Sequence, residues 1–175
     1  MITQKTGPLG PGDVYNTSPT EDEAGSEAFS QFVTCRVDGE EFAVDILSVQ
    51  EIIRMVDITR VPKAPPFVEG VINLRGRIIP VLDLRRRLGI PDGERTAQSR
   101  IVVVTVRGRV VGLVVDSVSE VLRIPKSAME PAPSLGSSIG AEFIQGVGRL
   151  EDRLLTLLDL KRLLLTADTA VMDAA

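Results

Sequence analysis

The sequence predicts a mainly β protein made of two small rolled sheets, and three observations carry that reading. Gly70–Leu88, GVINLRGRIIPVLDLRRRL, recurs without a gap as Gly146–Leu164, GVGRLEDRLLTLLDLKRLL. Gly70 aligns with Gly146, Arg77 with Arg153, Asp83 with Asp159 and Leu88 with Leu164. A weaker echo lies upstream of each copy, VQEIIR at 49–54 and VSEVLR at 118–123. The chain is also punctuated by short β-branched segments joined by two-residue turn signals, about four hairpins in all. Finally, each half has too few strands for a sandwich, and rolling a short sheet into a barrel removes its edges. Two copies are too few for a solenoid. Two barrels this small would pack against each other, since neither buries a sufficient core alone.

In chain order, Phe32–Val37 alternates, with Val33, Cys35 and Val37 on one face. Asp38-Gly39 is a hairpin turn whose central positions favour positive φ, and Phe42–Ile46 returns. Val49, Ile52 and Ile53 fall at i, i+3, i+4, which predicts a short helix over Leu47–Arg54. Prolines 62, 65 and 66 make 57–69 a loop. Val71–Leu74 and Arg77–Leu82 form a hairpin about Arg75-Gly76, with Pro80 arguing for an edge strand or a bulge. Asp83 is placed to cap a helix over Leu84–Leu88, which Gly89 and Pro91 end. Residues 91–99 read as a polar linker.

The second half repeats the plan. Ile101–Val106 and Val110–Val115 turn at Arg107-Gly108, and Val118, Val121 and Leu122 repeat the helical spacing. Pro125–Gly140 reads as a long loop. Phe143–Leu150 and Arg153–Leu158 make the last hairpin, and Asp159 begins the last helix. Residues 1–27, poor in apolar residues, read as a disordered acidic tail, and 167–175 as a flexible one. The expected organisation is therefore a domain over 28–166, with modules at about 28–92 and 93–166 and strands exchanged between them.

Composition narrows the chemistry. The net charge of −4 divides unevenly: residues 1–27 hold five acids and one lysine, so the folded part is mildly basic. No apolar run approaches the ~18 residues of a membrane span, and no basic start precedes an apolar block. These features give the expectation of a soluble cytoplasmic protein. Cys35 is the single cysteine and reads as a core residue. There is no histidine, which excludes Ser–His and Cys–His pairs, imidazole bases and histidine metal ligands. Asp83 and Asp159 could be imagined as an acid/base pair, but each reads better as a cap on its own helix. No enzyme, cofactor or metal is expected.

The basic residues raise nucleic-acid binding. Yet single-strand binders stack bases on aromatics, which are 3% of this chain, and acidic tails repel phosphate. Arg85–Arg87 reads as a solvated helix face. What remains is a binding module working through apolar surface and a few charges. Val49, Val118 and Val121 lie on the helix-like segments, where core packing is the plain alternative. Glu51 lies beside an apolar face. Arg75 stands at a hairpin tip, where its guanidinium can fork onto a partner carboxylate.

Taken together, VQEIIR with its Pro-rich loop, GVINLRGRIIPVLDLRRRLG, VVGLVVDSVSEVL and GVGRLEDRLLTLLDLKRLL resemble CheW-type chemotaxis coupling proteins over about residues 29–166. The resemblance implies two five-stranded SH3-like β barrels around a shared apolar core, and a non-enzymatic adaptor. Its partners would be the CheW-like regulatory domain of a chemotaxis histidine kinase and the helical cytoplasmic tip of a chemoreceptor. It would work in the cytoplasm, recruited to membrane-associated receptor arrays. By position, Arg75 and Glu51 are implied to face receptor and array, Val49 and Gly70 to support kinase binding, and Val121, with Val118 nearby, to lie at the receptor groove. An adaptor of a parallel motility or regulatory pathway is the alternative.

Overall fold

A computed structural model describes residues 28–132 and 141–164. The expected tails at 1–27 and 167–175, and part of the Pro125–Gly140 loop, lie outside the described residues. The chain forms strands β1 (Phe29–Val37), β2 (Glu40–Asp45), β3 (Val49–Arg54), β4 (Val68–Leu74) and β5 (Arg77–Asp83), then helix α1 (Leu84–Arg87). It continues with β6 (Arg100–Val106), β7 (Arg109–Val115), β8 (Ser117–Pro125), β9 (Met129–Pro131), β10 (Ile144–Leu150) and β11 (Arg153–Leu158). A last helix, α2, covers residues 160–164.

The strands make two sheets, ordered β8-β1-β2-β11-β10-β9 and β3-β6-β7-β5-β4. The repeat extends through both. Each repeat is a hairpin (β1-β2 or β6-β7), an edge strand (β3 or β8), a second hairpin (β4-β5 or β10-β11) and a short helix. The sheets, however, do not follow the repeats. The hairpin of each repeat is inserted into the sheet of the other: β1-β2 lies between β8 and β11, and β6-β7 between β3 and β5. Even the one parallel joint is duplicated, Val81 beside Gly112 in one sheet and Thr156 beside Phe42 in the other. Sheet membership therefore changes after residue 45 and again after residue 115, not near residue 92.

Each sheet curls until its ends meet. Thr59, beyond β3, exchanges two backbone hydrogen bonds with Val71 of β4, at 2.8 and 2.9 Å. In the other sheet β9, beyond β8, pairs with β10. Both closures need a strand without a side chain. A Cβ on Gly70 would lie 2.1 Å from the Thr59 carbonyl oxygen, and one on Gly146 2.6 Å from that of Glu130. Gly70 is also at φ 153°, a conformation glycine alone adopts readily.

Three apolar clusters result. Ile72, Ile79, Val81, Ile101, Val103 and Val114 fill one barrel. Phe32, Ala43, Ile124, Leu155 and Leu157 fill the other. Between them lies a shared core that includes Cys35, Val37, Phe42, Val44, Val102, Val104, Leu113 and Leu163. Successive residues of β6, Ile101 to Val104, point alternately into the barrel and into the shared core. A strand buried on both faces reads as an unbroken apolar run.

The hairpin turns form as expected, with positive φ at Asp38 and Gly39, Arg75 and Gly76, and Arg107 and Gly108. Asp83 caps α1 by accepting from the Arg85 backbone N–H at 3.0 Å, and Asp159 accepts from that of Arg162 at 3.2 Å. Four expectations fail. The helix over Leu47–Arg54 is a single 3-10 turn, Ile46–Ser48, followed by strand β3. Val118, Val121 and Leu122 likewise sit on strand β8. Apolar residues at i, i+3, i+4 over six positions fit either structure, and the β-branched Val49, Ile52 and Ile53 favour the strand.

Pro80 is on an interior strand, between β4 and β7. It faces Val71, whose backbone polar groups turn away towards Thr59, and the β7 ladder begins one residue later at Val81. Its missing N–H therefore falls where no ladder bond is due. The register shift lies instead on β4, between Val68 and Gly70.

The fourth correction concerns Arg85–Arg87, of which only Arg86 stays exposed. Arg85 forks onto Asp116 at 3.1 and 2.7 Å and donates to the Pro91 carbonyl at 2.8 Å. Its guanidinium also lies 3.7 Å from Asp38. Arg86 donates to Asp92 at 3.1 Å, and Arg95 to Glu69 at 2.8 Å, so the linker is strapped to the first barrel. Arg87 lies between the rings of Phe67 and Phe143, 4.1 and 4.4 Å from their centroids.

Candidate functional site

Arg75 occupies the first left-handed position of the β4-β5 turn, φ 53°, with Gly76 behind it at φ 85°. The Gly76 N–H donates to the Asn73 side chain at 2.8 Å, which holds the turn rigid. From this tip Arg75 reaches across the barrel seam to Glu51 on β3, donating from Nη1 and Nη2 at 2.5 and 2.7 Å. The guanidinium hydrogen bonds hold the Glu51 carboxyl below its ordinary range. Arg75 is nonetheless 69% exposed, so one face of the fork remains open to solvent. Two exposed aliphatic side chains occur at neighbouring positions of the same sheet. Ile52 follows Glu51 on β3, and Ile78 lies three residues beyond Arg75 on β5, and both are exposed.

The second barrel repeats the arrangement. Glu120, the counterpart of Glu51, is paired to Arg153 at 2.9 Å. Val121 and Leu154, counterparts of Ile52 and Ile78, are again exposed. The cation has moved by two positions, since Arg75 corresponds to Glu151 and Arg153 to Arg77. Arg153 also forks onto Glu41 of β2 at 3.1 and 2.6 Å. That bond, first among its causes, lowers the Glu41 pKa. Of the seven large apolar side chains exposed among the described residues, four therefore belong to two equivalent pairs, each in the same sheet as a glutamate–arginine bridge. An exposed aliphatic is ordinary by itself, but two at matching places on both copies define a repeated surface.

The expected site residues divide accordingly. Arg75 and Glu51 come together. Val121 belongs to the equivalent surface of the other barrel. Val49 and Val118 are half-buried and pack against the shared core, and Gly70 is buried at the barrel closure. Sequence reasoning missed Ile52, Ile78 and Leu154. The available signal was the repeat itself, which keeps an aliphatic at both outward positions in both copies.

Among the described residues, no group of three or more potential metal ligands occurs. Asp83 and Asp159 are committed to their caps. Burial pushes the Cys35 thiol up to about 12, so it stays protonated and inert. No helix of the described residues is long and apolar enough to cross a membrane.

Residues 31–168 match the family model of the CheW-like domain. The chain is 37% identical over 153 residues to the chemotaxis protein CheW of Klebsiella aerogenes, covering 86% of this chain and 90% of that protein. It is 35% identical over 147 residues to the chemotaxis protein CheW of Bacillus subtilis, covering 83% and 94%. Among solved structures, the scaffolding protein TtCheW of Thermoanaerobacter tengcongensis superposes with a TM-score of 0.71 at 37% identity, over 75% of this chain and 89% of that one.

Proposed function

Because the chain belongs to the CheW-like family of chemotaxis proteins, we propose that it is a non-enzymatic scaffold that couples chemoreceptor tips to a histidine kinase. The repeated surface is the observation that carries this reading. Two barrels carry the same set of groups, the Glu51–Arg75 bridge with exposed Ile52 and Ile78 on one and the Glu120–Arg153 bridge with exposed Val121 and Leu154 on the other. Each combines desolvable aliphatic area with a charge pair that can exchange partners, so area supplies affinity and charge fixes register.

On this reading one face docks a barrel of the kinase regulatory domain, and the junction between the barrels holds the helical receptor tip. Holding both partners in fixed geometry lets a receptor rearrangement bias the kinase between two states by differential affinity. The protein works in the cytoplasm, recruited to receptor arrays. Val49, Val118 and Gly70 serve binding indirectly, by fixing the edge strand and the closure that present Glu51, Val121 and Arg75. The test is reconstitution with kinase and receptor fragments, reading co-purification and kinase autophosphorylation. Stimulation of the kinase by receptor only when this protein is present supports the reading. Equal stimulation without it overturns it.

A further inference from the structure

The edge strand of each repeat carries a one-residue bulge, and the two bulges stand at equivalent places. In β3, Val49 faces Val104 but Glu51 faces Val103, so Gln50 is extra. In β8, Val118 faces Cys35 but Glu120 faces Thr34, so Ser119 is extra. An extra residue reverses the alternation of every side chain beyond it. Residues directly opposite each other share a face. Val118, opposite Cys35, and Val121, opposite Val33, therefore lie on one face although they are three apart. Leu122, opposite Phe32, turns into the barrel and packs there. Without the bulge Val121 would turn inward and Leu122 outward. The bulge thus decides which aliphatic is exposed, and the same holds for Ile52 and Ile53 in β3. It is also why the spacing of Val118, Val121 and Leu122 imitates a helix.

The two bulges are held differently. In β3 the Thr105 hydroxyl donates to the Gln50 side chain at 2.9 Å, on the surface. In β8 the hold is buried. The Thr34 hydroxyl donates to the Glu120 carbonyl at 3.1 Å and accepts from the Glu120 N–H at 3.3 Å, and Thr34 is wholly buried. Its counterpart in the other repeat is Val103, which has no hydroxyl. A buried hydroxyl is costly unless it is bonded, and both bonds of this one end on the backbone of Glu120. We propose that Thr34 is a positioning residue for the surface of Val121 and Leu154. Its hydroxyl pins the β8 bulge, and so fixes the register that turns Val121 outward and keeps Glu120 within reach of Arg153. Being buried, Thr34 meets no partner and acts only through these residues. Its effect on assembly rests on the docking role proposed above. Its effect on β8 does not.

Amide hydrogen exchange of the full-length protein, with its co-assembly with kinase and receptor fragments, tests the proposal. Thr34→Val removes the hydroxyl at nearly constant volume, and buried Val103 shows that valine fits at this place in the repeat. Exchange at Glu120 should quicken, and assembly weaken, by roughly three- to tenfold, the range of one hydrogen bond. Exchange at Glu51, in the other bulge, should keep its wild-type rate, whereas general destabilisation would quicken both. Thr34→Ala should act in the same way, which covers a valine variant that fails to fold. Thr34→Ser keeps the hydroxyl and should match the wild type in exchange and assembly. Unchanged exchange at Glu120 without the hydroxyl, quickened exchange with wild-type assembly, or a serine variant as weak as valine would each overturn the proposal. If the wild type itself does not join the fragments while exchange at Glu120 follows the hydroxyl, the docking role falls and the bulge lock stands.

Discussion

Arg87 donates from Nε to the carbonyl oxygen of Leu163 at 2.9 Å, and these two residues hold equivalent places in the two repeats. The rings that sandwich its guanidinium, Phe67 and Phe143, are equivalent as well. So are the bonds behind them, Asp83 N–H to Phe67 carbonyl and Asp159 N–H to Phe143 carbonyl, both 2.8 Å. One side chain thus sits where the two repeats meet and binds both.

Arg87→Ala removes two cation–π faces and a hydrogen bond, and should cost about 2–3 kcal/mol in urea unfolding. Arg87→Lys should recover little, because an ammonium cannot stack flat between two rings. Full recovery by lysine would show that charge alone matters there.

Barrel closure predicts a contrast between glycines. Gly70→Ala forces a Cβ against the Thr59 carbonyl at positive φ, and should cost about 3 kcal/mol with loss of the Thr59–Val71 bridge. Gly39→Ala meets open space at φ 79° and should cost about 1 kcal/mol. Similar melting temperatures for the two variants would refute the close approach as the reason for glycine at 70.

Acid should loosen the junction in a defined direction. The hydrogen bonds from Arg85 to Asp116 and from Arg153 to Glu41 lower both carboxyl pKa values. Their stabilisation is complete above the ordinary carboxyl values near 4, and is lost as pH falls through the lower folded-state values. Urea unfolding from pH 7 down to pH 2 should show this decline. Asp116→Asn combined with Glu41→Gln should lower stability at pH 7 and flatten the curve below pH 4.

The docking faces predict loss of binding without loss of fold. Arg75→Glu should leave the melting temperature essentially unchanged while weakening co-assembly with kinase and receptor fragments about tenfold. Ile78→Ala and Leu154→Ala, both at exposed positions, should shift stability by about 0.5 kcal/mol or less and weaken assembly too. Pull-down titration measures both, and wild-type assembly by all three variants would remove the surface from consideration.

Hairpins were readable because their turns need chemistry that sequence displays: Asp38-Gly39, Arg75-Gly76 and Arg107-Gly108 each place glycine second, where φ is positive. The duplication was readable as identity at fixed spacing, and Arg75 followed from its turn. The edge strands were not, since Val49, Ile52 and Ile53 satisfy a helical spacing as well as a strand, and only pairing with β6 decides between them. Exchange of strands between the modules was expected, but not that whole hairpins, β1-β2 and β6-β7, are the units exchanged, because the repeats show no local difference between pairing within a module and pairing across modules. Arg85 and Arg87 misled for a related reason: arginines on a short helix look solvated until the linker and the other repeat close over them.

The inserted hairpins also decide how this molecule comes apart. Each barrel owns two strands lent by the other half of the polypeptide, so neither can melt while its neighbour survives. Despite two barrels, heat or denaturant should meet one cooperative unit with a single transition. Severing the chain between the halves would yield fragments that regain structure only together.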